Sequence, residues 1–298
     1  MTTLVQSQNI SDDFPYPSNY AKMSDGNKLH YIDTGSGEVI IFLHGVPMWS
    51  YSWRKIIPQL EDSFRCIAPD FMGFGKSDKP AITYTFDDQL NYLTEFIDSQ
   101  NLTKITLVMT DIGGILGTAY ARTHEDKIKR LIYLEAPIQD AQSFHKDGKM
   151  MQRMMFWMGG KNKFGHRMIV NKNMFIKMLP MMMKTKLSKK NKEMYAMPFP
   201  TSSSRTPLFV LPNSFPKKGI TKTQGDMADY MNVNAEFLKT TTLPKLILHA
   251  KPGMIIHKKT IQWIDNNLKN VTTLYLGKAK HLMEEDLPIE IAEAIKQQ

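Results

Sequence analysis

Only one cysteine, Cys66, occurs in the 298 residues. A lone thiol excludes an internal disulfide framework and fits a reducing compartment. Long apolar runs are missing too. None approaches the ~20 residues of a membrane span, so stable membrane insertion is not expected. The opening MTTLVQSQNISDDF has neither a basic n-region nor an apolar stretch. A secretory signal is therefore not expected, and a cytoplasmic protein is the default. Carboxylates are the minority charge, 29 against 38 Lys and Arg, which leaves a net charge of +9. That balance could suit nucleic acid or an anionic surface. The lysines are scattered, however, apart from the segment 177–192, and no nucleic-acid-binding motif accompanies them. We therefore expect no nucleic-acid partner. The lysine-rich segment reads as a solvated face, and weak contact with a membrane surface stays open.

What is present is an alternation of apolar runs and helical periodicity. The length suffices for one large α/β domain or a domain with an inserted lid. Residues 27–33 alternate, and 38–43 (EVIIFL) is a continuous apolar run. With Gly35-Ser36-Gly37 between them they read as an early hairpin or meander leading into a central strand. Ser50–Leu60 reads as a helix, 64–69 (FRCIAP) as a strand, and 85–100 as a helix with Leu90, Leu93 and Ile97 on one face. The runs 105–109, 129–134, 245–249 and 272–276 read as further strands, and 226–238, 259–268 and 289–296 as helices. Strands alternating with helices predict a mostly parallel, doubly wound sheet of the α/β class. Ligands in such sheets bind at the carboxyl ends of the strands.

The stretch ITLVMTDIGGILGTA (105–119) is central. A buried strand runs into Thr110-Asp111-Ile112-Gly113-Gly114 and then a helix of small residues. A sharp turn of this kind lifts one side chain above the sheet, and a hydrolase places its nucleophile there. Taken alone, Asp111 could equally be a helix N-cap. His44-Gly45-Val46-Pro47 follows an early strand, Glu135 follows 129–134, and His281 follows the last strand. A carboxylate, a second carboxylate and a histidine so placed can act as nucleophile, orienting acid and general base. The backbone N–H groups of Val46 and Ile112 would form an oxyanion hole. The position after 245–249, where an acid could also sit, carries Pro252-Gly253-Met254.

Composition shifts between Pro137 and Asn213, which hold thirteen of the 22 methionines. Met151, Met154, Met155 and Met158, with Phe156 and Trp157, fall at helical spacing. Met174, Met178 and Met181–Met183 precede a run of lysines. We expect a helical cap over 137–213, inserted into a core of 1–136 and 214–298, with a proline-rich loop at 198–212. Most of the methionine stripe is core packing, though a Met/Phe lining also suits an apolar pocket.

At this point the chain resembles the haloalkane dehalogenases of the α/β-hydrolase superfamily. The likeness rests on HGVPMWSYSWR (44–54), PDFMGFGKSDKP (69–80), TDIGGILG (110–117), YLEAP (133–137), NMFIKMLP (173–180), SRTPLFVLPN (204–213) and KHLMEEDLP (280–288). An acid in YLE resembles the subgroup that includes the Renilla-type luciferases. The resemblance implies an α/β-hydrolase fold with Asp111 as nucleophile, His281 as base and Glu135 as acid. It implies Phe175, Pro207 and Ile255 as pocket residues, and Trp157 of the cap is a further pocket candidate that could substitute for a missing halide donor. The partners would be a small apolar organic substrate and water, with no cofactor, no metal, and a monomer or homodimer. The expected chemistry is a covalent alkyl- or acyl-enzyme at Asp111, hydrolysed by His281-activated water. The family usually binds the leaving halide with an Asn after His-Gly and a Trp after the nucleophile. Here those positions hold Val46 and Ile112, whose side chains cannot donate. Two alternatives follow. One is an epoxide, ester or lactone hydrolase on the same triad, with Tyr195 as the candidate acid for epoxides. The other is a non-hydrolytic or binding homologue.

Overall fold

The computed structural model describes residues 13–147, 163–214 and 227–298. Its strands are β1 (Asn19–Lys22), β2 (Lys28–Thr34), β3 (Glu38–Leu43), β4 (Phe64–Pro69), β5 (Ile105–Thr110), β6 (Ile128–Leu134), β7 (Lys245–Pro252) and β8 (Val271–Ala279). They form one sheet in the order β1-β2-β4-β3-β5-β6-β7-β8. The two β1–β2 and β2–β4 pairings are antiparallel, and every pairing from β4 to β8 is parallel. This is the α/β-hydrolase arrangement.

The apolar runs explain the centre of the sheet. Every residue of β5 is buried, as are the last four of β3, β4 and β6. Continuous burial is what a parallel sheet covered on both faces requires. The helix Ile112–Thr123 packs against the helices Phe86–Ser99 and Met227–Thr240. Its small residues permit close approach: a Cβ on Gly114 would fall 2.5 Å from the Ala136 Cβ. Thr85 caps the helix Phe86–Ser99 by accepting from the Asp88 N–H at 3.1 Å, reciprocated by Asp88.

Four expectations are corrected. The early hairpin is β1–β2, not the pair around Gly35-Ser36-Gly37, because β4 lies between β2 and β3. The helix expected over Ser50–Leu60 is two 3-10 turns, Ser50–Trp53 and Ile57–Gln59, the second with Pro58 in its opening turn. The expected loop at 198–212 contains the helix Thr206–Asn213. Pro207 stands in its first turn, where a missing N–H costs nothing. Finally, β8 runs three residues past the expected end.

The chain leaves β3 toward β4 and then crosses to β5 on the other side. The crevice between the ends of β3 and β5 is the topological switch point, where such sheets bind ligands. The described elements between β6 and β7 are helical. Trp157 and the methionine stripe 151–158 lie outside the described residues. Among those described, no helix is long and apolar enough to cross a membrane.

Candidate active site

Five strand ends converge at the switch point. Gly45-Val46 follow β3, Asp111 follows β5, Glu135 follows β6, the loop 253–256 follows β7, and His281 follows β8. Asp111, Glu135 and His281 are all buried, at 8%, 0% and 2% exposure.

Asp111 sits in a strained turn with φ 49°. A positive φ at a non-glycine residue is uncommon and costs free energy that the surroundings must supply. Asp111 occupies the N-cap position of Ile112–Thr123 but makes no capping bond with its side chain. Its Oδ2 accepts instead from the Val46 N–H at 2.9 Å, and the Ile112 N–H also lies against the carboxylate. Gly45 is required beside it, since a Cβ there would meet the Asp111 Cβ at 2.5 Å. Burial pushes the Asp111 pKa up, opposed by His281 and by the Val46 and Ile112 N–H groups.

Glu135 also has a positive φ, 40°. Its carboxylate is cradled by the loop after β7. Oε2 accepts from Met254 N at 2.7 Å and Ile255 N at 2.8 Å, and Oε1 from Ile256 N at 3.3 Å. Pro252-Gly253-Met254 therefore supplies donors to the acid rather than an acid of its own. That role carries no side-chain signature. Gly253 has φ +59°, and a Cβ there would stand 2.9 Å from Glu135 Oε1.

His281 Nδ1 faces Glu135 Oε2 at 3.7 Å, an ion-pair separation longer than a hydrogen bond. Burial disfavours its protonation, but Glu135 and Asp111 together outweigh that and hold its pKa above the ordinary value. An imidazole between two carboxylates, one raised by burial and one cradled, is suited to take and return a proton.

A family model described as the alpha/beta hydrolase fold matches residues 38–165. A haloalkane dehalogenase of Mesorhizobium japonicum is 32% identical over 271 residues, covering 90% of this chain and 86% of the relative. The chain belongs to the haloalkane dehalogenase family. A haloalkane dehalogenase of Mycolicibacterium smegmatis is 30% identical, covering 94% and 90% of the two chains. The crystal structure of haloalkane dehalogenase DbeA from Bradyrhizobium elkani superposes with a TM-score of 0.83 at 29% identity, over 94% of this chain and 96% of that one. The protein is thus a haloalkane dehalogenase-like hydrolase.

Against that family frame, Val46 and Ile112 are buried apolar side chains, 3% and 1% exposed. Phe175, Pro207 and Ile255 are buried as well, and the Ile255 N–H is committed to Glu135. Tyr195 does not fit the epoxide-acid role weighed from sequence. It is buried, its hydroxyl donates to Glu285 Oε1, and it accepts from Arg54 Nη1 at 3.1 Å. Among the described residues no acidic, His or Cys cluster is placed to hold a metal ion.

Sequence reasoning missed Glu284. It lies three residues beyond His281, fully buried, with both carboxylate oxygens lacking a hydrogen-bond partner. Burial pushes its pKa up to about 8. A pocket of about 340 Å³ opens elsewhere, lined by Lys76, Lys79, Met197 and Ser204 and by none of the residues above.

Proposed function

We propose that the protein hydrolyses a carbon–halogen bond of a small to medium apolar substrate through a covalent ester on Asp111. The carrying observation is the buried trio itself: an uncapped Asp111 carboxylate on a strained turn, electrostatically coupled to His281, with Glu135 cradled behind. Residues 137–213 act as the cap over a core of 1–136 and 214–298, and Phe175, Pro207 and Ile255 line the pocket.

An Asp111 carboxylate oxygen attacks the carbon. The carbon–halogen bond breaks and its electron pair leaves with the halide. Burial that raises the Asp111 pKa also strips water from the carboxylate, which strengthens it as a nucleophile. His281 then takes a proton from water, and the hydroxide formed attacks the Asp111 carboxyl carbon. The oxyanion that develops is held by the Val46 and Ile112 N–H groups, the first already 2.9 Å from Oδ2. Collapse releases the alcohol, with the His281 proton going to the departing oxygen, and the Asp111 carboxylic acid so formed loses its proton to solvent, which restores the carboxylate. Glu135 holds the imidazole ring and stabilises the imidazolium.

Backbone donors serve the second half of this cycle, while the side chains of Val46 and Ile112 offer nothing to the halide in the first. Two hydrogen bonds to a charged group, at about 1.5–3 kcal/mol each, correspond to roughly 10²–10⁴ in rate. We therefore expect bromo- and iodoalkanes, whose leaving groups need less assistance, to react ahead of chloroalkanes.

The test is trapping. His281→Gln incubated with a bromoalkane should gain the alkyl mass, localised by peptide mass spectrometry to Asp111. No adduct across a panel of bromo- and iodoalkanes would remove this reading.

A further inference from the structure

Charge is concentrated in one stretch of the chain. Residues 163–213 contain ten Lys and Arg and a single carboxylate, Glu193. The rest of the chain balances at 28 basic and 28 acidic residues, so the whole excess of +9 belongs to this stretch. Nine of the ten cations, eight of them lysines, are solvent-exposed. The tenth, Arg205, is held by the carbonyls of Phe199, Val170 and Pro200.

An apolar tip stands among them. Met181 ends the 3-10 turn Leu179–Met181 and is 65% exposed, while Met182 and Met183 behind it are buried. Lys177 and Lys184 flank it in the chain, and Lys280 Nζ donates to its carbonyl at 3.0 Å. The Leu282 N–H donates to the Met182 carbonyl at 3.0 Å, which ties this tip to the residue after His281. Phe164, 63% exposed, is a second apolar side chain in the same stretch, one residue from Lys163.

We infer that this lysine-rich, apolar-tipped face docks the protein peripherally on an anionic lipid surface. Charge complementarity selects the occupant. Ammonium groups are point charges suited to diffuse attraction by headgroups, and the set has almost none of the guanidinium forks that read nucleic acid. An exposed methionine in a lysine-rich segment has a use at a bilayer boundary and none in a phosphate groove, although the Asp286 carboxylate also lies here, accepting from the Lys184, Thr185 and Lys280 N–H groups. Docking there brings the tip next to His281 up to a phase in which apolar molecules concentrate. The inference stands apart from the dehalogenation reading, because its readout is binding.

Co-sedimentation with vesicles tests it, using phosphatidylcholine alone and phosphatidylcholine mixed with phosphatidylglycerol. Binding is expected to the mixed vesicles only, and to fall as salt rises. Each lysine near such a surface contributes roughly fivefold. Lys184→Gln, Lys186→Gln, Lys189→Gln and Lys192→Gln combined should therefore weaken binding by more than about a hundredfold. Melting temperature and turnover of a water-soluble substrate should stay unchanged. Met181→Ser alone should weaken binding severalfold at high salt, where attraction between charges is screened. Equal binding to both vesicle types, or binding that survives the fourfold variant, overturns the inference. Displacement from mixed vesicles by equimolar duplex DNA overturns it as well.

Discussion

Glu135 Oε2 faces His281 Nδ1 at 3.7 Å while accepting the Met254 and Ile255 N–H groups at 2.7 and 2.8 Å. The acid is therefore anchored to backbone more tightly than to its imidazole. The Met254, Ile255 and Ile256 N–H groups fix the carboxylate in place. The cradle comes from β7 and the acid from β6, so neighbouring strands fix each other's ends.

Replacing the acid should separate charge from shape. In Glu135→Gln the chief influence raising the His281 pKa is lost, and the pKa falls. The base must be neutral to accept a proton, so the acid limb of the pH–rate profile should move to lower pH. The plateau should drop by about 10²–10⁴-fold as the imidazole loses its orienting partner. Steady-state halide release between pH 5 and 9 checks both. An unmoved acid limb would separate Glu135 from His281.

Gly253→Ala tests the cradle. Left-handed φ costs an L-residue roughly 1–2 kcal/mol, and the new Cβ would crowd Glu135 Oε1 at 2.9 Å. We expect the melting temperature to fall by about 2–8 °C and turnover to fall with it. Calorimetry beside a turnover assay distinguishes a displaced carboxylate, where both fall, from backbone strain alone, where only stability falls.

Glu284→Gln should alter the pH dependence of stability. Burial pushes the pKa of Glu284 up to about 8 in the folded protein, well above the ordinary range for a glutamate. The stability linked to its protonated form is complete below the unfolded pKa. It is lost as pH rises toward 8, because the unfolded chain ionises first. His281, Asp111 and Glu285 face it and titrate alongside. The wild type should lose stability over this range with a slope of up to about 1.4 kcal/mol per pH unit. The glutamine variant should be flatter in denaturation series from pH 5 to 8. Parallel curves for the two proteins would show that Glu284 is ionised throughout.

The Arg54–Glu285 pair is a separate stabilising element. Arg54 Nη1 donates to Glu285 Oε1 at 2.5 Å and Nη2 to Oε2 at 3.1 Å, both residues being buried. Tyr195 donates to the same carboxylate, and Lys55 does so at 2.8 Å. Removing one partner of a buried pair costs about 3–5 kcal/mol. Arg54→Met should therefore lower the melting temperature by roughly 6–20 °C. A drop within experimental error would mean that Lys55 alone neutralises Glu285.

How much of this could be read from residue order follows from what each feature depends on. The strands 38–43, 64–69 and 105–109 declare themselves because a covered parallel sheet demands unbroken apolar runs. Asp111, Glu135 and His281 then fall at strand ends by counting. The helix Thr206–Asn213 was hidden by its prolines, one of which sits where a helix start tolerates it. The cradle of Glu135 was hidden because N–H donors belong to every residue type. Glu284 was hidden because its burial is a tertiary fact, and a Glu-Glu-Asp run ordinarily signals a solvated face. The partners that occupy the Tyr195 hydroxyl, Arg54 and Glu285, come from distant parts of the chain, and its sequence position says nothing about them.

Val46→Asn tests whether the leaving group is the unassisted half of the cycle. The side chain at 46 is 3% exposed and follows Gly45, beside Asp111. Asparagine is somewhat smaller than valine and brings a buried amide, which costs about 1–3 kcal/mol wherever it lacks a partner. Its amide adds an N–H donor where charge develops on the departing halide. A hydrogen bond to a charged group is worth about 1.5–3 kcal/mol, and only the part made in the transition state speeds the reaction. The expected gain in halide release is roughly 10–10²-fold, larger for chloride than for iodide because chloride carries more localised charge. The backbone N–H at 46 is untouched, so hydrolysis of the Asp111 ester should keep its rate, and the gain should appear in the burst phase of a rapid-quench experiment. The same enhancement for chloride, bromide and iodide would mean that the new amide acts on substrate binding. No enhancement, in a variant with unchanged melting temperature, would mean that the halide leaves on a side of the site that residue 46 does not reach.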